Sequence, residues 1–293
     1  MSSVVILLIG DQPAPNLLPT RYLEPEATVF VHTERTYPIA MNLKSLLESK
    51  YICKLCKVDS YKIEEIQEEL SKFLKSSFNN SHFIFNLTGG TKPMALATFQ
   101  IARTLNSPFV YYQTEGNQSL LYYYFFDSGR IVLKDMKELP KTVSLDEYLR
   151  MYCGSYTTGE PRNDFEYQVK EVLSSASGID EVLTSVRPQG LGALEVDFLV
   201  RCGNQIGVGE VKTRGNKDGI DQLNAVTEQR FLGTYVQKFL VSGRPVHTNN
   251  KDLAKAYRIE VIEINYMENK PLAFEDQHKL TSAILGKLKR GNL

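Results

Sequence analysis

Acidic residues and a lysine recur at matched spacing in the C-terminal half of this 293-residue chain. Glu195 and Asp197 stand two positions apart in one apolar run, and Glu210 and Lys212 stand two positions apart in the next. Residues two apart on a β-strand share one face of the sheet. If the two runs pair as a hairpin, the three carboxylates and the ammonium group converge at one sheet surface.

Such a cluster suits the hydrolysis of a phosphodiester. Carboxylates hold hard divalent cations such as Mg²⁺ or Mn²⁺, which activate water and neutralise charge on phosphoryl oxygens. A nearby lysine can orient or deprotonate the water, or contact the phosphate as a point charge. We therefore expect Asp197 and Glu210 to bind a metal and Lys212 to act in catalysis. Glu195 is either a further metal ligand or a structural partner, and the competing interpretation of the whole set is a solvated hairpin face.

The elements around these residues follow from their apolar spacing. Two glycines, Gly207 and Gly209, flank the second run and could let backbone or substrate approach closely. Strands are predicted over residues 181–187, 194–200, 205–212, 235–241 and 260–264. Helices are predicted over residues 163–174, 217–229, 252–256 and 277–289.

This order of elements resembles the PD-(D/E)XK nuclease superfamily over roughly residues 160–265. The resemblance implies that Glu166 is the acid of the preceding helix, Asp197 the metal aspartate and Glu210-Val211-Lys212 the E-x-K segment. Gln222 matches a glutamine that often follows on the next helix. One departure is that Pro188 lies well before the aspartate, so the Pro-Asp dipeptide is missing. The resemblance implies a metal-dependent endonuclease that cleaves DNA or RNA, as single strands or by nicking a duplex.

A second constellation lies where an apolar run meets a helix start in the N-terminal half. Thr88-Gly89-Gly90-Thr91 follows the run, and Lys92-Pro93 opens the helix, where proline's missing N–H is not needed. Exposed backbone amides at a helix start, with Lys92 beside them, make an anion site. The glycines let a phosphate approach the backbone. The spacing is not that of a Walker P-loop, and the alternative is a tight turn without a ligand.

Other strand ends should line the same crevice, because open parallel sheets bind ligands at the carboxyl edge of their strands. Residues 13–19 are predicted to form a long loop after the first strand, which could close over a ligand. The predicted ligand-binding residues are Gly10, Asp11, Gln12, Thr33, Glu34, Thr88, Gly89, Gly90, Thr91, Lys92 and Thr114.

Strand and helix patterns alternate through the N-terminal half. Strands 4–9, 28–32, 53–58, 82–87 and 109–113 alternate with helices 36–49, 63–74 and 92–105, which predicts a mostly parallel sheet with helices on both faces. Asp127-Ser128-Gly129 joins two further strands as an antiparallel hairpin. A connector composition between residues 145 and 161 divides the chain. We therefore predict two α/β domains, a Rossmann-like one over residues 1–150 and a restriction-endonuclease-like one over residues 151–293.

The N-terminal half resembles the CRISPR-associated Rossmann-fold (CARF) sensor domain, through the Thr88–Met94 segment and the loop after the first strand. Together with the second half, the chain resembles the CARF nuclease effectors of type III CRISPR antiviral defence. The resemblance implies that a cyclic oligoadenylate activates the nuclease. Cyclic tetra-adenylate is the ring size we favour, and cyclic hexa-adenylate stays open. The resemblance also implies a homodimer, because a two-fold-symmetric ligand suits an isologous interface.

Composition limits the classes of protein that fit. Lys and Arg number 34 and Asp and Glu number 34, so there is no overall basic excess, and contact with nucleic acid needs a local patch or a metal. The four cysteines are scattered, which predicts ordinary reduced thiols rather than a zinc site. The N-terminus has no basic leader, and no apolar run reaches the ~20 residues of a membrane span. We expect a cytoplasmic protein without a membrane partner.

Other functions stay open at this stage. The chain could be a ligand-controlled nucleic-acid-binding regulator with an inactive nuclease fold, although that would need a basic recognition helix. It could also be a constitutive repair or restriction nuclease whose first domain is a scaffold. A further activity, slow cleavage of the ligand by the sensor, would need a histidine constellation. His32 and His82, expected on adjacent strands, are the candidates, and ordinary strand positions are the simpler interpretation.

Overall fold

A computed structural model describes residues 3–115, 118–139, 143–189, 195–214, 217–228, 232 and 236–290. Backbone contacts divide the chain into two compact units, Met1–Val143 and Ser144–Leu293. The whole of helix α5 (Leu145–Cys153) belongs to the second unit, because it packs on strands of that unit's sheet. The expected boundary at residues 150 and 151 would cut this helix. Within the described ranges, no helix combines the length and the apolar character that crossing a membrane requires.

The first unit is built on a seven-stranded sheet in the order β3-β2-β1-β4-β5-β6-β7. Strands β1 to β5 pair in parallel, and β6 and β7 add an antiparallel hairpin at the edge. The predicted mostly parallel sheet with an antiparallel end is confirmed. The strands are β1 Ser3–Leu8, β2 Ala27–His32, β3 Ile52–Lys57, β4 His82–Asn86, β5 Phe109–Glu115, β6 Gln118–Asp127 and β7 Arg130–Glu138.

Four helices cover this sheet, and each connects neighbouring elements of the β-α alternation. Helices α3 and α4 bury their apolar stripes against β1, β2 and β4 on one sheet face. The periodicity of Ile66, Leu70 and Leu74, all almost fully buried, explains why α3 forms there. The helices are α1 Ala14–Leu23, α2 Tyr37–Leu47, α3 Ile63–Ser77 and α4 Lys92–Thr104.

The prediction of a long loop over residues 13–19 is wrong, because this segment begins helix α1. Prolines at the start of a helix need no hydrogen-bonded N–H, but Pro19 lies inside α1 and cannot donate to the carbonyl of Pro15. The side-chain amide of Asn86 donates to that carbonyl instead, at 2.8 Å. A polar group from another strand thus satisfies the acceptor that the proline leaves free.

The two histidines are also not neighbours. His32 ends β2 and His82 begins β4, while β1 lies between these parallel strands. His32 therefore stands at the carboxyl end of its strand and His82 at the amino end of its own. The expectation that they lie on adjacent strands is wrong.

The second unit contains a six-stranded sheet in the order β13-β12-β11-β10-β9-β8. Strands β9, β10 and β11 form an antiparallel meander, and β12 and β13 continue in parallel with β11. The predicted hairpin between the two acidic runs is confirmed as β10–β11. The strands are β8 Tyr156–Thr157, β9 Glu181–Pro188, β10 Val196–Cys202, β11 Gln205–Lys212, β12 Gln237–Ser242 and β13 Ile259–Glu263.

Helices α5 to α9 pack on this sheet. The predicted strand start at Leu194, the predicted helix end at Gln229 and the predicted strand start at Tyr235 lie outside the described residues. The remaining helices are α6 Asp164–Ser175, α7 Lys217–Glu228, α8 Thr248–Ala256 and α9 Phe274–Arg290.

The glycines of β11 make room for aromatic rings of the core. A Cβ added to Gly209 would lie 1.9 Å from Cζ of Phe198, and one added to Gly207 would lie 2.6 Å from Cε2 of Phe239. Alternation along β11 puts both glycines on the face opposite Glu210. They therefore serve packing under the sheet, and close approach of a substrate does not explain them.

Candidate active site

The hairpin brings Asp197 and Glu210 together. Phe198 of β10 pairs with Gly209 of β11, and the same antiparallel register, continued by one residue, sets Asp197 opposite Glu210. The backbone N–H of Val211 donates a 2.8 Å hydrogen bond to Oδ2 of Asp197. Both carboxylates are almost fully buried, at 9% and 1% exposure. The sheet thus holds two acids side by side, away from bulk water.

The environment of Glu210 disfavours its charge. Burial, and then repulsion from Asp197, raise its pKa from 4.5 to about 8, although Lys212 acts in the opposite direction. Its Oε2 accepts a 2.8 Å hydrogen bond from Lys212, whereas its Oε1 is buried and has no hydrogen-bond partner among the described residues. A buried oxygen without a partner is costly, so this atom is suited to receive a ligand.

Lys212 completes the cluster on the same face. Its Nζ lies 2.8 Å from Oε2 of Glu210 and 3.9 Å from Oδ2 of Asp197. Burial lowers the pKa of Lys212, but attraction to Glu210 and Asp197, and more weakly to Glu166, outweighs burial and raises it. The side chain is therefore an ammonium ion at neutral pH. In this arrangement the ammonium group can contact an anion.

The donor set fits a small divalent cation that also binds substrate. Mg²⁺ is commonly held by one or two carboxylates plus waters and substrate phosphate oxygens, rather than by a complete protein cage. Asp197 and the unpartnered oxygen of Glu210 supply two such carboxylates. Among the residues that the structure describes, no group of three or more His, Cys, Asp and Glu side chains is arranged to hold a metal.

Glu166 lies near this cluster but makes local hydrogen bonds. It stands in the first turn of α6, whose N-cap is Asn163. Its carboxylate accepts hydrogen bonds from the Asn163 side chain at 2.7 Å and from the backbone N–H of Arg162 at 2.8 Å. Attraction to Glu166 also makes a small contribution to the raised pKa of Lys212. The predicted helical acid is therefore close to the pair and fixed by the start of its own helix.

Glu195 makes its described contacts with two arginines. Its oxygens accept from the Arg187 guanidinium at 2.9 and 3.0 Å, and Arg162 forms a further ion pair with the same carboxylate. These contacts occupy the lone pairs that a metal would need. The contacts with Arg162 and Arg187 favour the structural one of the two roles expected for Glu195, and its role as a metal ligand stays a prediction.

Helix α7 closes one side of Lys212. A Cβ added to Gly219 would lie 3.2 Å from Cγ of Lys212, so the first turn of α7 packs directly on the lysine stem. Gln222 follows one turn later on the same helix face, because residues three apart are neighbours. It is partly exposed. The predicted glutamine is thus directed to the side of α7 that carries the lysine contact.

The carboxyl ends of the parallel strands β1 and β4 lie side by side at one edge of the first unit's sheet. The chain crosses to opposite sides of β1 to reach β2 and β4, so this is the topological switch point of the sheet. A Cβ on Gly89 would lie 2.0 Å from the Leu8 carbonyl oxygen, and one on Gly10 would lie 3.0 Å from the Gly90 nitrogen. Gly90 has a φ of 71°, which favours glycine. The predicted glycines therefore let two loops meet closely.

Two threonines fix the loop that leads into α4. Thr88 donates to Oδ1 of Asn86 at 2.6 Å and accepts from the Tyr112 N–H at 2.7 Å. Thr91 caps α4 by accepting from the Met94 N–H, and it donates to the Ser60 carbonyl at 2.6 Å. Lys92 is exposed at the first turn of α4. The start of α4 therefore combines backbone N–H groups with a lysine, the two features that favour binding of an anion.

The remaining predicted ligand residues lie at neighbouring strand ends. Asp11 forms an ion pair of 3.0 Å with Arg35, and Glu34 forms one with Lys57. Such pairs neutralise acids at an edge that is expected to bind an anion. Gln12 follows Asp11 in the chain. The Thr33 N–H donates a hydrogen bond to the Thr36 hydroxyl, and the Thr114 hydroxyl donates one to the Tyr112 hydroxyl.

Sequence reasoning missed several polar residues that support the two sites. Asn86 bridges α1 and the Thr88 loop, and Asn16 donates to the Leu8 carbonyl at 3.1 Å. Their position in apolar runs, where an amide needs a specific partner, was the available signal. Arg162 and Arg187 were missed because strand pairing and the loop before α6, rather than regular spacing along the chain, bring them to Glu195.

Comparison with known proteins bears on both units. Residues 4–148 match the family model of the Card1 CARF domain. The structure of Can2 from Sulfobacillus thermosulfidooxidans in complex with cyclic tetra-adenylate aligns with a TM-score of 0.74 and 16% identity, covering 98% of this chain and 99% of that chain. Protein VC1899 from Vibrio cholerae aligns with a TM-score of 0.73 and 14% identity, covering 99% of both chains.

A third structure is a type III CRISPR defence DNA nuclease activated by cyclic oligoadenylate. It aligns with a TM-score of 0.55 and 16% identity, covering 94% of this chain and 44% of that chain, so this chain spans less than half of that protein. No curated protein matches the chain. At such identities the structural matches establish the fold. Together with the two sheets of the chain, they confirm the predicted class of two α/β domains.

Proposed function

Because residues 4–148 match the family model of the Card1 CARF domain, we propose that this chain is a cyclic-oligoadenylate-activated, metal-dependent nuclease. The first unit binds the activator, and the second unit hydrolyses phosphodiesters of DNA or RNA in type III CRISPR antiviral defence. One observation carries the proposal: the buried carboxylate of Glu210, one oxygen of which has no partner in the described structure, lies beside Asp197 and Lys212.

The two carboxylates have complementary parts in this proposal. Asp197 and Glu210 would hold Mg²⁺ or Mn²⁺, with Asp197 oriented by the Val211 amide. Such a metal supplies an activated water and charge neutralisation at the phosphoryl group. A proton on Glu210 must leave before a cation binds, and because its pKa is raised to about 8, metal affinity is expected to increase as the pH rises toward that value. The ionised Glu210 carboxylate, which burial disfavours, would be stabilised by the positive charge of such a cation.

Lys212 acts as a cation rather than as a base. Its raised pKa keeps the ammonium charged, so it contacts a phosphoryl oxygen and stabilises negative charge that develops during hydrolysis. Attraction to Glu166 favours the charged form of Lys212. Gln222 on α7 contacts water or substrate beside the lysine. The reaction is then catalysed mainly by electrostatic stabilisation and positioning.

The activator binds at the carboxyl ends of β1 and β4. The α4 amides and Lys92 attract its phosphates, while the close contact of Gly10 and Gly90 leaves backbone N–H groups near the ligand. The likeness to Can2, solved with cyclic tetra-adenylate, supports that ring size, and cyclic hexa-adenylate is the second candidate. A two-fold-symmetric ring suits a homodimer.

A single assay matrix tests the proposal. Purified wild-type protein is incubated with Mn²⁺ or Mg²⁺, labelled single-stranded DNA, RNA or plasmid, and each cyclic oligoadenylate in turn. We expect cleavage only when metal and one activator are both present. Equal cleavage without activator would favour a constitutive nuclease. Tight, ligand-controlled binding of nucleic acid without any cleavage would favour a regulator with an inactive nuclease fold.

A further inference from the structure

We propose that Arg162 and Arg187, held together by Glu195, form a subsite that binds the phosphate backbone of the substrate beside the cleavage centre. The inference rests on the proposed nuclease function and adds to it a location for substrate contact. These residues lie outside the set of carboxylates and lysine that performs the hydrolysis. Glu195 is a positioning residue in this account, because it acts through the two arginines.

The three side chains form one charged cluster. Arg187 contacts Glu195 through two nitrogens, at 2.9 and 3.0 Å, and Arg162 pairs with the same carboxylate. The Glu195 side chain is only 13% exposed, whereas those of Arg162 and Arg187 are 54% and 50% exposed. The carboxylate is therefore enclosed, and both guanidinium groups keep N–H donors directed to solvent. The cluster carries a net positive charge.

Strand register places this cluster next to the carboxylate pair. Val186 of β9 pairs with Val196 of β10, and the same register, continued by one residue, sets Arg187 opposite Glu195. Glu195 immediately precedes β10 and stands two positions before Asp197, a separation of about 6.7 Å in extended chain. A nucleic-acid strand bound at Asp197 therefore passes the arginines.

The loop that carries Arg162 is fixed before any substrate arrives. Gly159 exchanges hydrogen bonds with Thr184, its N–H donating at 3.2 Å and its carbonyl accepting at 2.9 Å. Ser185 donates to the Glu160 carbonyl at 3.0 Å, and the Arg162 N–H donates to Glu166. Ser185 has a φ of 46°, a costly conformation for serine. The strand thus accepts local strain where it fixes the loop.

The chemistry of the cluster favours phosphate over other ligands. Guanidinium groups present planar pairs of N–H donors that match phosphate oxygens. The chain as a whole carries no net charge, so attraction for a polyanion must come from local cationic groups. A fixed arginine pair beside the cleavage centre provides such a group, at lower entropic cost than two free side chains.

The test measures binding without cleavage, in the background of the Glu210→Gln variant. Fluorescence anisotropy gives the Kd for labelled oligothymidylate and for labelled oligouridylate over a series of salt concentrations, with and without cyclic tetra-adenylate. Each phosphate contact on a single strand contributes about 0.7 to the slope of log Kd against log salt. Loss of both arginines, R162Q/R187Q, is expected to reduce the slope by about 1.4. The Kd should rise about tenfold at low salt.

Matched variants keep the outcome decisive. R150Q removes another half-exposed arginine of the same unit, paired with Asp146, and is expected to keep the full slope. If the double variant does not fold, R162Q and R187Q singly leave Glu195 one partner each, and each should lower the slope by about 0.7. A slope unchanged in the arginine variants, or equal losses in R150Q, would overturn the subsite. Absence of cleavage by the wild-type protein would instead count against the nuclease proposal, and this binding result is independent of it.

Discussion

The carboxylate of Asp197 accepts a 2.8 Å hydrogen bond from the backbone N–H of Val211, the residue that follows Glu210. This bond ties the start of β10 to the end of β11 and orients one acid against the other. Because it uses a backbone donor, its geometry is set by strand pairing and does not depend on a flexible side chain. The candidate centre is therefore part of the sheet itself.

Replacing Glu210 with glutamine should abolish cleavage and leave the fold intact. Glutamine resembles the protonated acid that burial favours, but it offers a divalent cation no negative charge. We expect activity to fall by at least about 100-fold, while the Kd for cyclic tetra-adenylate stays at the wild-type value. E260Q, at a half-exposed glutamate of the same sheet, is the matched control and should cleave normally. Full activity in E210Q would refute the assignment.

The stability of the metal-free protein should depend on pH through Glu210. The pKa of this carboxyl is raised from 4.5 to about 8, so the unfolded chain releases the proton near pH 4.5 and the folded protein only near pH 8. The stabilisation is complete below the unfolded pKa and is lost as the pH rises through the folded one. We expect the wild-type free energy of unfolding to fall relative to E210Q by the order of a few kcal/mol over this window. Urea unfolding in EDTA across this pH range measures it, and parallel curves for both proteins would contradict the account.

Replacing Lys212 with methionine should separate catalysis from metal binding. The ammonium that contacts Glu210 and Asp197 is removed, so cleavage should fall by about 100-fold or more. Mn²⁺ affinity should rise or stay constant, because a positive charge near the metal is lost. Isothermal titration with Mn²⁺ and single-turnover cleavage report the two effects. K255M, at an exposed lysine of α8, should match the wild type in both, and a K212M protein that cleaves normally would exclude a catalytic lysine.

Replacing Gly89 with alanine should damage the sensor and spare the second unit. The new Cβ would lie 2.0 Å from the Leu8 carbonyl oxygen, so β1 and the loop must separate at a cost of about 1–3 kcal/mol. We expect cyclic tetra-adenylate to bind at least about tenfold more weakly. Calorimetry measures both effects. G286A, in open space on α9, should keep ligand affinity and gain stability, since alanine favours helix over glycine. Wild-type affinity in G89A would place the ligand elsewhere.

Much of the fold and the central acids could be predicted from local pattern. Period-two alternation at Glu210 and Lys212 put both on one face, and the hairpin that joins them to Asp197 follows from the turn between two apolar runs. The glycine and threonine sequence after β4 predicted a close turn at the switch point, which the contact of Gly10 with Gly90 bears out. These features depend on neighbours along the chain, which a sequence shows directly.

Other features depended on partners distant in sequence. Glu195 looked like a metal ligand because its spacing matches that of Asp197, but Arg162 and Arg187 reach it from β9 and from the loop before α6. The segment after β1 looked like a loop because of its prolines. It forms helix α1 instead. The side-chain amide of Asn86, on strand β4, donates a hydrogen bond to the Pro15 carbonyl, which Pro19 cannot serve. Periodicity alone does not reveal such long-range polar contacts.

The most direct test of the central claim is where a divalent cation binds. Crystals of the protein soaked in Mn²⁺ and measured at the manganese absorption edge give an anomalous difference map that locates the ion. The account predicts a peak within coordination distance of Asp197 and of Oε1 of Glu210, and no peak there in E210Q. An active protein whose manganese peak lies away from both carboxylates would contradict it.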